Sequence, residues 1–217
     1  MRSGQLTTVV FALDFIQARR FIPLLCTGHP MSDLLLALAN AIYRFLEAIA
    51  EISGWLLVVL MSVTCFDVVC RKFGVPIPYT KLQELEWHLH AAIFSLWLGY
   101  NYVINAHPRV DSYYGSAGMR VRAWIELAGC LLFALPYTFV LVYYGWEWWW
   151  IAYNNGEASD SANGLEHRWI IKGVYYIGLW LLLLGIISVV LRLVAHMFGG
   201  RTIEQARLNL GSSQLEV

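Results

Sequence analysis

The chain has 217 residues, of which 59% are hydrophobic and only 14% charged, with 15 Lys and Arg against 15 Asp and Glu. Soluble domains run at about 45–50% apolar and about 25% charged, so a soluble globule of this size lacks the interior to hide the excess, which must face lipid. The 15% aromatic content argues against disorder, the balanced charge against a nucleic-acid binder, and four Cys without paired spacing against a disulfide scaffold.

Residues 1–31 are read as an N-terminal extension. Val9 to Ala12 is too short for a signal-peptide core and no clean small-residue cleavage site follows. Met31 opens a more organised stretch, and the biological start is expected there. Residues 32–51 fit an amphipathic helix with Ser32 as N-cap. Asn40, Arg44, Glu47 and Glu51 fall on one stripe; Leu35, Leu38, Ile42, Phe45 and Ile49 fall on another. Such a helix lies in the membrane interface or packs on a partner.

Residues 52–200 are read as a four-helix membrane domain. A hydrocarbon core of ~30 Å needs about 20 apolar residues, and four windows qualify. Ile52–Cys70 carries one charge, Asp67. Trp87–Ala106, Leu127–Trp146 and Gly173–Leu191 carry none in their interiors, although the second includes His88 and His90. A charge at the bilayer centre costs about 2.5–3.5 kcal/mol on insertion scales, so charged borders around apolar middles mark spans. The unalternating run Leu181 to Ile187 excludes barrel strands. The fold class is therefore an all-α integral membrane protein with four transmembrane helices preceded by an interfacial helix. With both termini cytoplasmic, ten Lys and Arg lie inside and five outside, which sets the orientation.

The connections carry their own signals. Val75-Pro76-Ile77-Pro78 stops the first span, and Thr80 with Gln83 fits a capping box opening the second. Pro136 is expected to kink the third span. That span ends in Tyr143, Tyr144, Trp146, Trp148, Trp149, Trp150 and Tyr153, an interfacial belt in preference to a sugar or cation platform. The third loop, 154–164, is small and polar and is expected to project into water. Residues 201–217 are read as a short exposed polar tail. There is no internal repeat, which argues against an inverted-repeat transporter acting alone.

Asp67 and Arg71 are four apart and can pair on one helix face, which lowers the cost of an acid in the membrane. Glu84, Glu86, His88 and His90 look metal-like. On a helix, Glu84 meets His88 and Glu86 meets His90, but the two pairs stand about 200° apart and cannot share one ion. A haem-binding membrane anchor subunit of a redox enzyme is the alternative, with His88, His90 and His167 at one end and His107 and His196 at the other. All five lie at or beyond helix ends, where haem would be poorly shielded. No Walker A, G-x-S-x-G or H-E-x-x-H motif occurs, so an enzyme reading has no nucleophile, base or metal set to stand on. His107, Arg109 and Asp111 follow the second span. They read either as an inside anchor with a turn acid or as a docking loop.

Three of these segments resemble a known family. Asp67-Val68-Val69-Cys70-Arg71 is similar to its acid-to-arginine end of span one. Pro78-Tyr79-Thr80-Lys81-Leu82-Gln83-Glu84-Leu85-Glu86-Trp87, with Gly99 beyond, resembles its lead into span two. His107-Pro108-Arg109-Val110-Asp111 resembles its H-x-R-V-D loop. The family is the small membrane subunit, DctQ, of tripartite ATP-independent periplasmic (TRAP) transporters. Pro108 and the long N-terminus depart from its pattern.

The resemblance implies a scaffold subunit in the bacterial inner membrane. Its partners would be a large multi-span permease carrying solute and ion, a periplasmic binding protein that delivers the solute, and membrane lipid. The cargo implied is an organic acid moved by an ion gradient. No cofactor and no catalysis are expected. Asp67, Arg71, Glu84, Glu86, His107, Arg109 and Asp111 carry over as structural or partner-interface candidates, none as a substrate ligand.

Overall fold

A computed structural model describes residues 30–106, 117–161 and 163–208. Its regular elements are all helical: α1 (Pro30–Phe73), α2 (Tyr79–Val103), α3 (Met119–Gly129), α4 (Leu135–Asn154), α5 (Trp169–Met197) and α6 (Ile203–Ala206). Three stretches are long and apolar enough to cross a membrane: α1, Met119–Asn154 and α5. Helix α2 has 25 residues and the length to cross, but it is less apolar.

Residues 32–51 and the first apolar span are one continuous helix. At 44 residues α1 is roughly 66 Å long, about twice a hydrocarbon core. Ser32 lies inside it and accepts from Arg201 Nε at 3.2 Å, so it is not the N-cap. The buried positions Ser32, Ala39, Leu46, Ser53, Leu60 and Asp67 recur every seven residues, the repeat of helices packed at a shallow left-handed angle. Leu38 and Phe45 point outward at 51% exposure, while the smaller Ala39 and the neighbouring Leu46 point in. Lipid is as apolar as Leu, so in a membrane the contact goes to residues that allow close packing.

Helix α1 ends on Gly74 at φ +65°, a conformation open to glycine without a Cβ penalty. Val75 N–H returns to Cys70 O at 3.0 Å and Gly74 N–H to Arg71 O, satisfying carbonyls that the helix end would orphan. Gly156 closes α4 in the same way. The expected capping box at Thr80 does not form. Helix α2 opens at Tyr79 after Pro78, with no side-chain cap, so Thr80 already lies inside it. The capping box that does form is Thr202 with Gln205, at α6.

Pro136 is accommodated by a π-helical turn, Cys130–Ala134, between α3 and α4. Proline has no N–H and its ring collides with the carbonyl four residues back, here Leu132. Widening the helix by one residue at that point relieves the clash, and Leu135 N–H instead reaches Cys130 O.

Helix α5 is the hub and touches every other helix. Half of its most apolar window is buried, against 17% of the corresponding window in α1. Its tightest contact is with α2. A Cβ built on Gly99 would sit 2.1 Å from Leu181 O, one on Gly185 2.5 Å from Gly99 O, and one on Gly178 2.6 Å from Ser95 O. Backbone meets backbone through Ser95 and Gly99 on one side and Gly178 and Gly185 on the other, the small-residue seam of membrane helix pairs. Side-chain bonds tie α1 in, among them Ser188 Oγ to Ala39 O at 3.1 Å and Trp97 Nε1 to Ser53 Oγ at 2.9 Å.

The N-terminal end of α1 and the C-terminal end of α5 lie together, because Arg201 binds Asp33 and Ser32. Trp124 near the start of α3 meets Phe198 there, ring centroids 6.2 Å apart. The third loop and the start of α2 lie at the opposite end.

Candidate functional site

Polar side chains collect at the two ends of the bundle. At the loop-three end, Arg71 Nε donates to Asp67 Oδ2 at 2.7 Å. The acid side chain is 8% exposed and the guanidinium 45%, so the pair lets a buried carboxylate reach water through its partner. Arg71 also lies over the Tyr79 ring, 4.9 Å from its centroid. The Tyr79 hydroxyl donates to Cys70 O at 3.2 Å, which binds the start of α2 to the end of α1. Asp67 Oδ1 is buried without a hydrogen-bond partner.

Glu84 does something the sequence spacing did not suggest. One carboxylate oxygen accepts from Leu165 N–H at 2.6 Å and the other from the Ser159 hydroxyl. Gly164 makes room, since a Cβ there would lie 2.3 Å from Ser159 Oγ. The third loop is therefore tied back to α2 through Ser159 and Leu165, while most of its described residues are exposed as expected, the Asp160 side chain at 98%. Glu84 sits ahead of the apolar stretch that begins at Trp87. The Leu165 N–H, then the Ser159 hydroxyl, hold its carboxyl below the usual carboxylate range. Glu84 and His88, expected to meet on one helix face, interact through charge, and no hydrogen bond joins them. Glu86 Oε1 is buried without a partner, close enough to Arg71 to favour its charge. His90 is exposed.

Beside the strap, Arg168 Nη1 pairs with Asp160 Oδ2 at 3.2 Å. Lys172 pairs with Glu157 and lies 4.6 Å from the Trp148 ring centroid. The aromatics that end α4 stack on one another and on α5: Trp146 with Trp150 at 5.6 Å, Trp149 with Tyr176 at 6.5 Å and Tyr153 edge-on to Trp169 at 5.1 Å. Trp146, Trp148, Trp150 and Tyr153 each keep 44–49% exposure, as rings at a membrane–water boundary do.

At the other end, Arg192 is 3% exposed. Its Nη2 donates to Asn40 Oδ1 at 3.0 Å and its Nη1 to Ala206 O at 3.2 Å, and it faces the Tyr43 ring at 5.7 Å. Tyr43 in turn donates to Glu47 Oε1 at 3.1 Å. His196 Nδ1 contacts Arg201 O at 2.6 Å. The segment after Gly200 is thus folded back as α6, with Ala206 fully buried, and this corrects the expected exposed tail over residues 201–208. Arg192 and Asn40 were missed as a pair because they are 152 positions apart. The available signal was an Asn and an Arg on two helices expected to share one membrane face. His107, Arg109 and Asp111 lie outside the described residues.

Residues 60–196 match the family of tripartite ATP-independent periplasmic transporters, DctQ component. The chain belongs to the DctQ family. Comparison with curated proteins gives no match, and comparison with solved structures gives none. The match runs from Leu60 in the middle of α1 to His196 near the end of α5, so it spans both the Asp67 and the Glu84 contacts. DctQ proteins are small components of TRAP transporters, and the family is one of transport components in the membrane, not of enzymes. In this DctQ chain Glu84 ties α2 to the third loop, and Asp67 pairs with Arg71 inside α1. His167 lies with its ring edge-on to Trp169, and His196 Nδ1 contacts the Arg201 carbonyl.

Proposed function

We propose that this chain is the scaffold subunit of an ion-gradient-driven TRAP transporter in the bacterial inner membrane, supporting a large permease that imports an organic acid handed over by a periplasmic binding protein. In this reading α2 is the fourth span. Its 25 residues and its position alongside α1 and α5 support that. The shared location of the α1 start and the α5 end supports an even number of crossings. Both termini are then cytoplasmic, as the Lys and Arg distribution requires.

The observation that carries the scaffold role is the contrast between a locked interior and an uncovered α1. The α2–α5 seam leaves no slack, while Ile52, Trp55, Met61 and Phe66 of α1 are 55–74% exposed on a rigid rod. A stiff body with long uncovered apolar faces, on α1 and also on α4, suits a static wall against which another subunit moves. Of the seven residues carried over from the sequence, we assign Asp67, Arg71 and Glu84 to holding the chain's own outer end. Glu86, His107, Arg109 and Asp111 remain partner-interface candidates.

The test is cysteine cross-linking in native membranes, with single Cys placed at Trp55 or Phe66 and, as control, at Tyr144 on α4. A cross-linked band containing the large permease from the α1 positions alone is the expected result. Cross-linking from Tyr144 and not from α1 would move the interface, and none from either would remove the scaffold reading.

A further inference from the structure

Helix α1 carries charge at an unexpected depth. Asn40, Arg44, Glu47 and Glu51 form one stripe in its first half, where an amphipathic pattern suggests the membrane interface. The packing sets that stretch deeper. Leu181 O and Leu46 Cδ2 converge on Gly99, at 2.1 and 3.1 Å from a Cβ built there. Leu181 stands in the middle of Gly173–Leu191, the apolar run of α5. Arg192, which closes that run, bonds Asn40, and Ser188 bonds Ala39. The inner border of the α5 span is thus level with Asn40, and its centre is level with Leu46. At 1.5 Å per residue, Glu47 and Glu51 stand within about 8 Å of that centre, inside the ~15 Å half-thickness of a hydrocarbon core. Membrane helices tilt by up to about 40°, which shifts the level by less than the ~10 Å between packed helices and leaves Glu47 inside.

These carboxylates do not turn into the bundle. Glu51 is exposed and Glu47 half-buried. Tyr43, packed against Tyr100 of α2, donates to Glu47 Oε1 at 3.1 Å, which positions that carboxylate and leaves its charge in place. Among the described residues no cation pairs with Glu47 or Glu51. One turn past Glu51, Trp55 is 74% exposed. We propose that Glu47 and Glu51 receive a Lys or Arg side chain from a membrane helix of the large permease, within the hydrocarbon layer; this rests on the reading of the chain as a TRAP scaffold subunit. An acyl chain has no donor to offer a carboxylate, lipid headgroups stop at the interface, and a purely apolar helix would seal both charges without a partner. A cation at the same depth removes that cost. It also fixes register, because sliding the two helices past each other by two turns would leave the charges in hydrocarbon.

The experiment is affinity capture by the tagged full chain from native membranes in mild detergent, with the large permease identified by its mass. Glu51→Lys is the principal variant. No hydrogen bond reaches the Glu51 side chain among the described residues, so the isolated chain should melt as the unsubstituted one does. Captured permease should fall more than about tenfold, as when like charges are set against each other in a buried contact, and Glu51→Gln should cost less. Selection for restored uptake should return permease substitutions that change a Lys or Arg in a membrane helix to Glu or to a neutral residue. Unchanged capture by a folded Glu51→Lys chain, or suppressors that fall only on this chain's own Lys and Arg, would overturn the inference and leave the subunit reading standing. A lower melt of the isolated Glu51→Lys chain would place the carboxylate's partner within the chain and overturn it as well. An unsubstituted chain that captures no permease would remove the subunit reading, and this inference with it.

Discussion

Gly99→Ala adds one carbon to a chain of 217 residues, and the structure gives it nowhere to go. The new Cβ would stand 2.1 Å from Leu181 O, and ordinary contact begins at 3.4 Å, so α2 and α5 must part by about 1.3 Å at that point. The obstacle is backbone in a packed helix, which cannot rotate aside as a side chain can. Separation also loosens the neighbouring contacts at Gly178 and Gly185, which depend on the same spacing. Overpacking of this kind costs about 3 kcal/mol at the upper end of its usual range. Helix propensity works the other way, since Ala is better than Gly by about 1 kcal/mol. The net loss is about 2 kcal/mol, which for a chain of this size lowers Tm by roughly 4–8 °C. The assay is a circular-dichroism melt in mild detergent, with Gly129→Ala as control. Gly129 is also helical, but a Cβ there meets nothing within 4 Å, so the same substitution should leave Tm level or raise it. If Gly99→Ala melts with or above Gly129→Ala, the close α2–α5 seam is refuted.

Arg71→Ala should reduce folded yield more than Asp67→Asn. The first strands a buried carboxylate and the second leaves a half-exposed guanidinium in water; adding Asp67→Asn to Arg71→Ala should recover yield, as measured by size-exclusion of the tagged chain. Glu84→Gln should release the third loop, seen as faster hydrogen exchange at Leu165 N–H, without loss of membrane insertion. Because the folded chain holds the Glu84 carboxyl below its ordinary value, the strap is at full strength above about pH 4.3 and is lost as pH falls through the depressed folded value; exchange at Leu165 that stays flat as pH is lowered through that range, after correction for intrinsic rates, would contradict this. Arg192→Ala removes two hydrogen bonds from a 3%-exposed guanidinium, at a cost of about 3 kcal/mol. It should also free α6, so that limited trypsin cuts after Arg201 and Arg207 sooner than in the unsubstituted chain.

Membrane residence was legible because it is a bulk property. Too much apolar surface for the volume, together with charges confined to segment borders, leaves few other solutions. The Asp67–Arg71 pair was legible for a different reason: partners four apart on a helix meet whatever surrounds them. The same locality explains the failures. Thr80 and Gln83 have capping-box spacing, yet the helix starts at Tyr79 with Pro78 at the cap position, two residues too early for Thr80 to cap it. Pro136 announced a disturbance, but the π-helical turn it sits beside, packed at Cys130 against α5 and Tyr102, is not specified by the local sequence.

Hydrophobicity by itself determined that this chain lives in a membrane, where its apolar stretches lie and which borders carry charge, because solvation acts on each segment independently. Tertiary structure decided which face of each helix turns inward. In water the largest apolar stripe would be buried, and on that rule Leu38 and Phe45 of α1 should face the core. In lipid that stripe gains nothing by leaving the solvent, so the interior goes to Ala39, Ser95, Gly99, Gly178 and Gly185, where backbones can touch. It likewise joined Glu84 to Leu165 and Asn40 to Arg192, pairs 81 and 152 positions apart. A buried or half-buried charge must find a partner, and only the packing of the helices determines which one is within reach.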